Sequence, residues 1–147
     1  TGDIDLLSEE IPFLNADPLG QDEEERYGLY PSTDSSFSLY EHCIRAIQRG
    51  STAGPHGLPL IGTGDWNDGM NRVGIQGQGE SVWLGWFLYS TLMGFAPICE
   101  ALGDNDRAKI FRNQAKILRL SLKEEAWDGA WYRRAYYDDG TPLANLE

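Results

Sequence analysis

One uncharged stretch, from Ser81 to Cys99, constrains the fold of this chain more than any other feature. Its apolar side chains lie on every side of a helix that we predict from about Glu80 to Leu102, so no face is left for water. The stretch approaches the length that spans a membrane, but it contains Gly85 and Pro97 and follows a polar, Gly-rich loop. We therefore predict a fully buried core helix that other parts of the protein must cover.

The next predicted helix, from about Asp104 to Ala126, is amphipathic and so has one wet side. Its apolar face is formed by Ala108, Phe111, Ala115, Leu118 and Leu122. A buried helix joined by a short turn to an amphipathic one is typical of a two-layered helical barrel, with inner and outer helices. Three helices cannot close such a ring, so we predict a piece of a barrel with an uncovered apolar patch on its inner helix.

The remaining sequence predicts one more helix, two long loops and a short hairpin. The helix spans about Ser35 to Gln48, because apolar residues recur there on one face. These residues are Phe37, Tyr40, Ile44 and Ile47. Residues 1–36 and 50–79 are predicted to be loops, whereas Ala130 to Tyr137 predicts a strand before a turn at Asp139-Gly140. The expected fold class is all-α with one short β-hairpin.

The second loop concentrates the residues that could carry chemistry, because eight glycines surround the run Asp65-Trp66-Asn67-Asp68. A calcium loop of the EF-hand type is disfavoured, since placing Gly69 at its required glycine leaves Gly64 as the first ligand. A phosphate-binding loop is also disfavoured, because Gly62-Thr63-Gly64 is followed by carboxylates rather than by a lysine.

A site for carbohydrate chemistry fits the same run better than a calcium loop or a phosphate-binding loop does. Glycoside cleavage needs a carboxylic acid to protonate the leaving oxygen, and sugars are held by aromatic faces and by amide or carboxylate hydrogen bonds. A structural turn in which Asp and Asn cap a helix fits the residues as well as a carbohydrate site does.

Composition and charge narrow the possible partners. The formal net charge of −11 disfavours nucleic acid, because an acidic surface repels phosphate backbones. His42 and His56 show no metal-ligand spacing with each other or with a cysteine, so no metal site is expected. Cys43 and Cys99 lie in apolar helical patterns, which predicts buried free thiols.

Beyond these patterns, the sequence resembles the catalytic domain of glycoside hydrolase family 94. The resemblance is carried by the run from Gly57 to Gly69, followed by Gly79 to Trp83, and it is highly specific around Asp65 to Asp68. Further segments make it extend over most of the chain. These segments are Tyr30 to Thr33, Glu41 to Ala46 and Trp127 to Ala135. The family includes cellobiose phosphorylase, chitobiose phosphorylase and the C-terminal part of cyclic β-1,2-glucan synthase, and the likeness leans toward the synthase branch.

The resemblance implies an (α/α)6 barrel of the six-hairpin glycosidase type, of which residues 1–147 would be a part. It also implies inverting phosphorolysis of a β-linked glucan of the β-1,2-glucan or cellobiose type, releasing glucose 1-phosphate. Inorganic phosphate is then a co-substrate, and no cofactor is required. The family's proton donor maps to Asp68 and its sugar-contacting tryptophan to Trp66. Asp65, Asn67 and Glu80 lie beside them in the matched segments and are expected to orient the substrate.

The resemblance has limits that bear on activity. The family's upstream Arg and Asp, which grip the sugar, and its downstream phosphate-binding segment have no counterpart here, so the chain alone is expected to be inactive. Its expected partners are a glucan, phosphate, and either the rest of the barrel or a second copy of itself. A cytoplasmic location is expected, with a parent anchored in the inner membrane in the synthase branch. The alternatives are a non-catalytic carbohydrate-binding helical module and a structural interaction domain.

Overall fold

The computed structural model describes residues 2–20, 23 and 25–143, which form two compact units, residues 1–46 and 47–147. In the first unit, strand β1 (Glu10–Leu14) pairs antiparallel with strand β2 (Ser32–Ser38). Helix α1 (Leu39–Gly50) begins in this unit, directly after β2. The expectation that residues 1–36 form a loop is therefore wrong for these strands. Pro12 is tolerated in β1 because a two-stranded sheet has only edge strands.

Helix α1 begins four residues later than the sequence predicted. Residues 35–38 continue β2 instead, and the hydroxyl of Ser38 accepts a hydrogen bond from the backbone N–H of Glu41 at 3.2 Å. Phe37 thus belongs to a strand, where its ring lies 5.3 Å from that of Phe13. The predicted apolar face survives at Ile44 and Ile47, which are both buried.

The second unit is built on a helical pair and a small sheet. Helix α2 (Val82–Ala101) and helix α3 (Asn105–Glu124) pack against each other, within one or two residues of their predicted limits. A three-stranded antiparallel sheet joins β3 (Glu80–Ser81), β4 (Ala135–Tyr136) and β5 (Pro142–Leu143) in the order β3-β4-β5. The sheet therefore brings the segment after α3 back to the start of α2.

The predicted hairpin is present, but its first strand is shorter than expected. Residues 130–134 do not join the sheet, because the carboxylate of Asp128 accepts hydrogen bonds from the backbone N–H groups of Ala130 and Trp131. This local turn competes with strand pairing and delays it until Ala135. The five described strands also make the chain less purely helical than the expected all-α class.

The core of the second unit lies between α2, α3, the sheet and the loop that precedes β3. Its main buried cluster consists of Leu58, Val82, Leu118, Leu122, Ala126 and Tyr136. Gly85 allows the helices to approach closely, because a Cβ there would lie 2.9 Å from a methyl carbon of Leu122. Cys99 is buried as predicted, whereas Cys43 is only half-buried, and no disulfide joins the two.

Helix α2 is not covered on every side, contrary to the prediction of a fully buried helix. Phe87 is 59% exposed, and Trp83, Trp86 and Met93 are each more than a third exposed. By length and composition alone α2 could cross a membrane, a property that core helices share. The predicted apolar patch on this helix is therefore present, whereas the barrel itself stays a prediction.

Candidate active site

The loop that carries the Asp-Trp-Asn-Asp run is held in place at Asp65, the first residue of that run. The side chain of Asp65 is fully buried, and both of its oxygens lie 2.7 Å from Nη2 of Arg134. Its Oδ2 also accepts the hydroxyl proton of Ser81 at 2.7 Å, and its Oδ1 accepts the backbone N–H of Asn67 at 3.0 Å. We refer to Asp65, Ser81 and Arg134 as the clamp.

The sheet explains why these three distant residues meet. Ser81 lies in β3 and pairs with Ala135 of β4, which places the neighbouring Arg134 beside the start of α2. Ser81 is also the N-cap of α2, since its hydroxyl oxygen accepts the backbone N–H of Leu84 at 3.1 Å. The clamp therefore ties the loop, the sheet and the first turn of α2 together.

The clamp keeps Asp65 ionised. Burial raises the pKa of its carboxyl group, but the N–H of Asn67, the guanidinium of Arg134 and the hydroxyl of Ser81 outweigh burial and lower the pKa below its usual value. A carboxyl group in this state holds its neighbours in place, and it is a poor source of protons at neutral pH.

Trp66 and Asn67 face water on the outer side of this loop. The indole of Trp66 is 78% exposed, and its ring centroid lies 6.3 Å from that of Trp83 in a near-parallel arrangement. The ring of Trp83 is in turn stacked on that of Phe87, with centroids 5.5 Å apart. An exposed aromatic row of this kind can stack on the apolar face of a sugar ring.

Asp68 begins a short 3-10 helix, Asp68–Met70, directly after Asn67. This turn is closed by a hydrogen bond from the N–H of Met70 to the carbonyl of Asn67 at 3.1 Å. The side chain of Asp68 lies outside the described residues, so its role as proton donor stays a prediction.

Glu80 is buried against the backbone of the preceding loop. Its Oε1 accepts the N–H groups of His56 and Leu58 at 3.1 and 3.0 Å, and its Oε2 lies 2.5 Å from Nδ1 of His56. Gly54 leaves the space for this carboxylate, because a Cβ there would lie 2.5 Å from the Glu80 side chain. These contacts hold the Glu80 carboxylate against the loop, and its contact with substrate stays a prediction.

The imidazole of His56 lies against a second buried group. Its ring is stacked on that of Tyr136, with centroids 3.8 Å apart. Burial, as the largest effect, raises the pKa of the Tyr136 phenol, whose hydroxyl donates to the carbonyl of Glu125 at 2.5 Å. These contacts fix the base of the loop from which Asp65 emerges.

A further carboxylate, that of Asp138, fastens the glycine-rich segment before β3. It accepts the N–H groups of Gln76, Gln78 and Gly79 at 2.8 to 2.9 Å. Burial opposes ionisation here too, but the three N–H groups lower the pKa of Asp138. Among the residues with described placement, no group of three or more His, Cys, Asp or Glu side chains could hold a metal ion.

The structure thus brings together Asp65, Trp66, Asn67 and the backbone of Asp68, while Glu80 lies next to Ser81 of the clamp. Sequence reasoning missed the roles of Arg134, Asp138 and His56. Arg134 and Asp138 act on segments about 60 to 70 residues away, and no spacing rule links such distant positions. The signal that could have found Arg134 is its place in a segment that resembles the family.

Comparison with known proteins assigns the family. The model of the glycosyl hydrolase 94 superfamily, catalytic domain, matches residues 1–147, and the chain belongs to this family. The chain is 44% identical over 148 residues to the cyclic beta-(1,2)-glucan synthase of Rhizobium meliloti (strain 1021), covering 100% of the chain and 5% of that protein.

Two other relatives carry the names of phosphorylases. The 3-O-beta-D-glucopyranosyl-beta-D-glucuronide phosphorylase of Paenibacillus borealis is 36% identical over 125 residues, which is 84% of the chain and 16% of that protein. The cellobionic acid phosphorylase of Neurospora crassa is 34% identical over 140 residues, or 95% of the chain and 15% of that protein. The chain therefore belongs to a carbohydrate-active family, and it spans a small fraction of the length of its curated relatives.

Proposed function

We propose that this chain is the part of a larger inverting glycoside phosphorylase that carries the proton donor, Asp68. The observation that carries the proposal is the fixed Asp-Trp-Asn-Asp loop, in which the clamp holds Asp65 and leaves Trp66 exposed. The family membership supports it, because its named relatives are phosphorylases and a glucan synthase.

The reaction requires one carboxylic acid. An oxygen of inorganic phosphate attacks the anomeric carbon of the terminal glucose while Asp68 gives its proton to the glycosidic oxygen. The bond between carbon and glycosidic oxygen breaks, and the products are glucose 1-phosphate and a shortened glucan. Phosphate takes the place of the activated water of inverting hydrolases, so no second catalytic carboxylate is needed.

The geometry favours Asp68 over the two neighbouring acidic residues. Asp65 has a lowered pKa and three hydrogen-bond donors around it, from Asn67, Ser81 and Arg134, which suits a permanent anion. Glu80 is 1% exposed, and its contacts are with N–H groups of the preceding loop. To act as an acid, Asp68 needs a pKa raised above the ordinary value of about 3.9, and closing the site around a bound sugar would raise it.

The sugar is proposed to stack on Trp66, with Asn67 donating from its amide group. The rest of the barrel and the phosphate-binding residues would come from parts of the full-length protein beyond this chain, whose location we propose to be cytoplasmic. The preferred linkage, β-1,2 or β-1,4, would be selected by acceptor contacts in those parts.

The test is release of glucose 1-phosphate by the full-length protein. Inorganic phosphate is supplied with β-1,2- or β-1,4-linked gluco-oligosaccharides, and the Asp68→Asn variant is measured in parallel. Asp106→Asn is the matched control, because that side chain is 93% exposed on α3, away from the loop. We expect product from the wild type and the control, and a rate at least about 10²-fold lower from Asp68→Asn.

Two results would contradict the proposal. Equal rates from the wild type and Asp68→Asn would remove this residue from the mechanism. Sugar binding by the wild type without product would instead identify a non-catalytic carbohydrate-binding module that uses the exposed Trp66.

A further inference from the structure

Arg134 makes the strongest contact with the acid-bearing loop of any described side chain outside it. Its guanidinium is about three-quarters buried and meets both oxygens of the fully buried Asp65 carboxylate at 2.7 Å. Its Nη1 also donates to the hydroxyl of Ser81 at 3.3 Å. Charge-assisted bonds of this kind are roughly twice as strong as neutral ones.

The contact continues along the backbone toward Asp68. Oδ1 of Asp65, one of the two oxygens that Arg134 contacts, also accepts the N–H of Asn67 at 3.0 Å. The carbonyl of Asn67 in turn closes the turn that contains Asp68. If Arg134 is lost, burial disfavours the charged carboxylate, and Asp65 must take up a proton or turn toward water. Either change weakens the hydrogen bond that Asp65 accepts from the N–H of Asn67, the residue just before Asp68.

We infer that Arg134 is a positioning residue for the proton donor, acting through Asp65. The inference rests on the proposed function, in which Asp68 is the acid. Arg134 does not touch the sugar or phosphate in this account. It sets the orientation of the turn from which Asp68 protonates the glycosidic oxygen, and a misplacement of about 1 Å can cost about 10²-fold in rate.

The experiment compares Arg134→Gln, Arg134→Lys, Asp65→Asn and the double variant Asp65→Asn/Arg134→Gln in the full-length protein. The matched control is Arg112→Gln, because Arg112 makes a similar two-oxygen contact with Glu100 at 2.9 Å, between α3 and α2 and away from the loop. The measurements are kcat and KM for phosphorolysis per folded molecule, together with hydrogen exchange of the peptide that contains residues 62–70.

We expect Arg134→Gln to lower kcat by about 10²-fold with little change in the KM for phosphate. Arg134→Lys should recover part of the rate, because a lysine keeps the charge but lacks the second nitrogen with which Arg134 also donates to Ser81. The double variant should be no slower than the slower single variant, since residues that act in one chain of contacts are not additive. Arg112→Gln should keep the wild-type kcat.

The outcomes separate this inference from the proposed function. An active wild type with unchanged kcat in Arg134→Gln would overturn the positioning role, as would a double variant whose losses multiply. An inactive wild type would overturn the proposed function. Hydrogen exchange would then decide the positioning role. Arg134→Gln should accelerate exchange in residues 62–70 and Arg112→Gln should leave it unchanged, and equal exchange in both variants would overturn the role.

Discussion

At the scale of single residues, two buried carboxylates determine how the loop is held. Asp65 and Glu80 are both removed from water, and such burial costs several kcal/mol for a carboxylate that lacks partners. Here Asp65 meets Arg134 and Ser81, whereas Glu80 meets His56 and the N–H of Leu58. These side chains shape the loop through their contacts with its backbone and with Arg134 and Ser81, while Trp66 in the same loop stays exposed.

Asp65 should make the stability of the second unit sensitive to acid. Its pKa is lower in the folded chain than in the unfolded chain, so unfolding takes up a proton in acid. The stabilisation is complete well above the ordinary Asp pKa of about 3.9 and is lost as the pH falls through that value toward the folded pKa. Asp65→Asn should cost about 1 to 3 kcal/mol at pH 7 and flatten this part of the pH dependence.

Urea unfolding of the chain between pH 7 and pH 3 measures this contribution. Asp106→Asn serves as the control, because an exposed ion pair such as Asp106 with Lys109 contributes little to stability. If Asp65→Asn and the wild type lost stability in parallel on acidification, the proposed coupling between Asp65 and its donors would be wrong.

Residue types could be predicted from the sequence better than their partners could. The run Asp65-Trp66-Asn67-Asp68 is local, so its resemblance to the family was visible without a structure. The exposure of Trp66 and Asn67 on a fixed loop agrees with a functional site. Arg134 and Asp138 could not be assigned, because their targets become neighbours only when β4 pairs with β3. The predicted roles toward substrate of Asp65, Trp66, Asn67, Asp68 and Glu80 stay predictions.

At the scale of elements, the start of α2 joins structure to the proposed chemistry. Ser81 caps this helix and donates to Asp65, whereas Asp104 caps α3 by accepting the N–H of Arg107. Ser81→Ala and Asp104→Ala should each cost about 1 kcal/mol, the usual effect of losing an N-cap. Only Ser81→Ala should also lower kcat in the full-length protein.

Thermal unfolding and phosphorolysis rates measured on the same two variants provide the test. The Asp104→Ala variant shows what the loss of a helix cap does by itself. An equal loss of kcat in both variants would mean that stability, rather than the clamp, controls the rate.

The elements differ in how well the sequence predicted them, for a physical reason. Helices α2 and α3 have 20 residues each, and their patterns repeat over several turns, so their limits were right to within two residues. Strands β1 and β2 were missed, because strand pairing depends on a partner 18 to 28 residues away and Pro12 indicated a loop. The bend at Asp128 was missed for a similar reason, since its side-chain bonds to the backbone outcompeted the strand pattern.

At the scale of the whole molecule, one face of α2 remains open. At about 100° per residue, Trp83, Trp86, Phe87 and Met93 fall within an arc of about 120° and so share a side of the helix. All four are more than a third exposed. A contiguous apolar surface of this kind marks an interface, and in the proposed full-length enzyme the rest of the barrel would cover it.

The isolated chain should therefore self-associate through this face of α2. Burying it against a second copy gains about 25 cal/mol per Å² of apolar surface, and no charged side chain interrupts the helix between Val82 and Cys99. Sedimentation velocity at micromolar concentrations should show dimers or larger species for the wild type and monomers for Phe87→Lys/Met93→Lys. Ile110→Lys is the control, because Ile110 is half-exposed on α3, away from the open face, and should not change the association. A monomeric wild type would contradict this prediction, and binding of the wild type to neutral lipid vesicles would show that the apolar character of α2 serves a membrane instead.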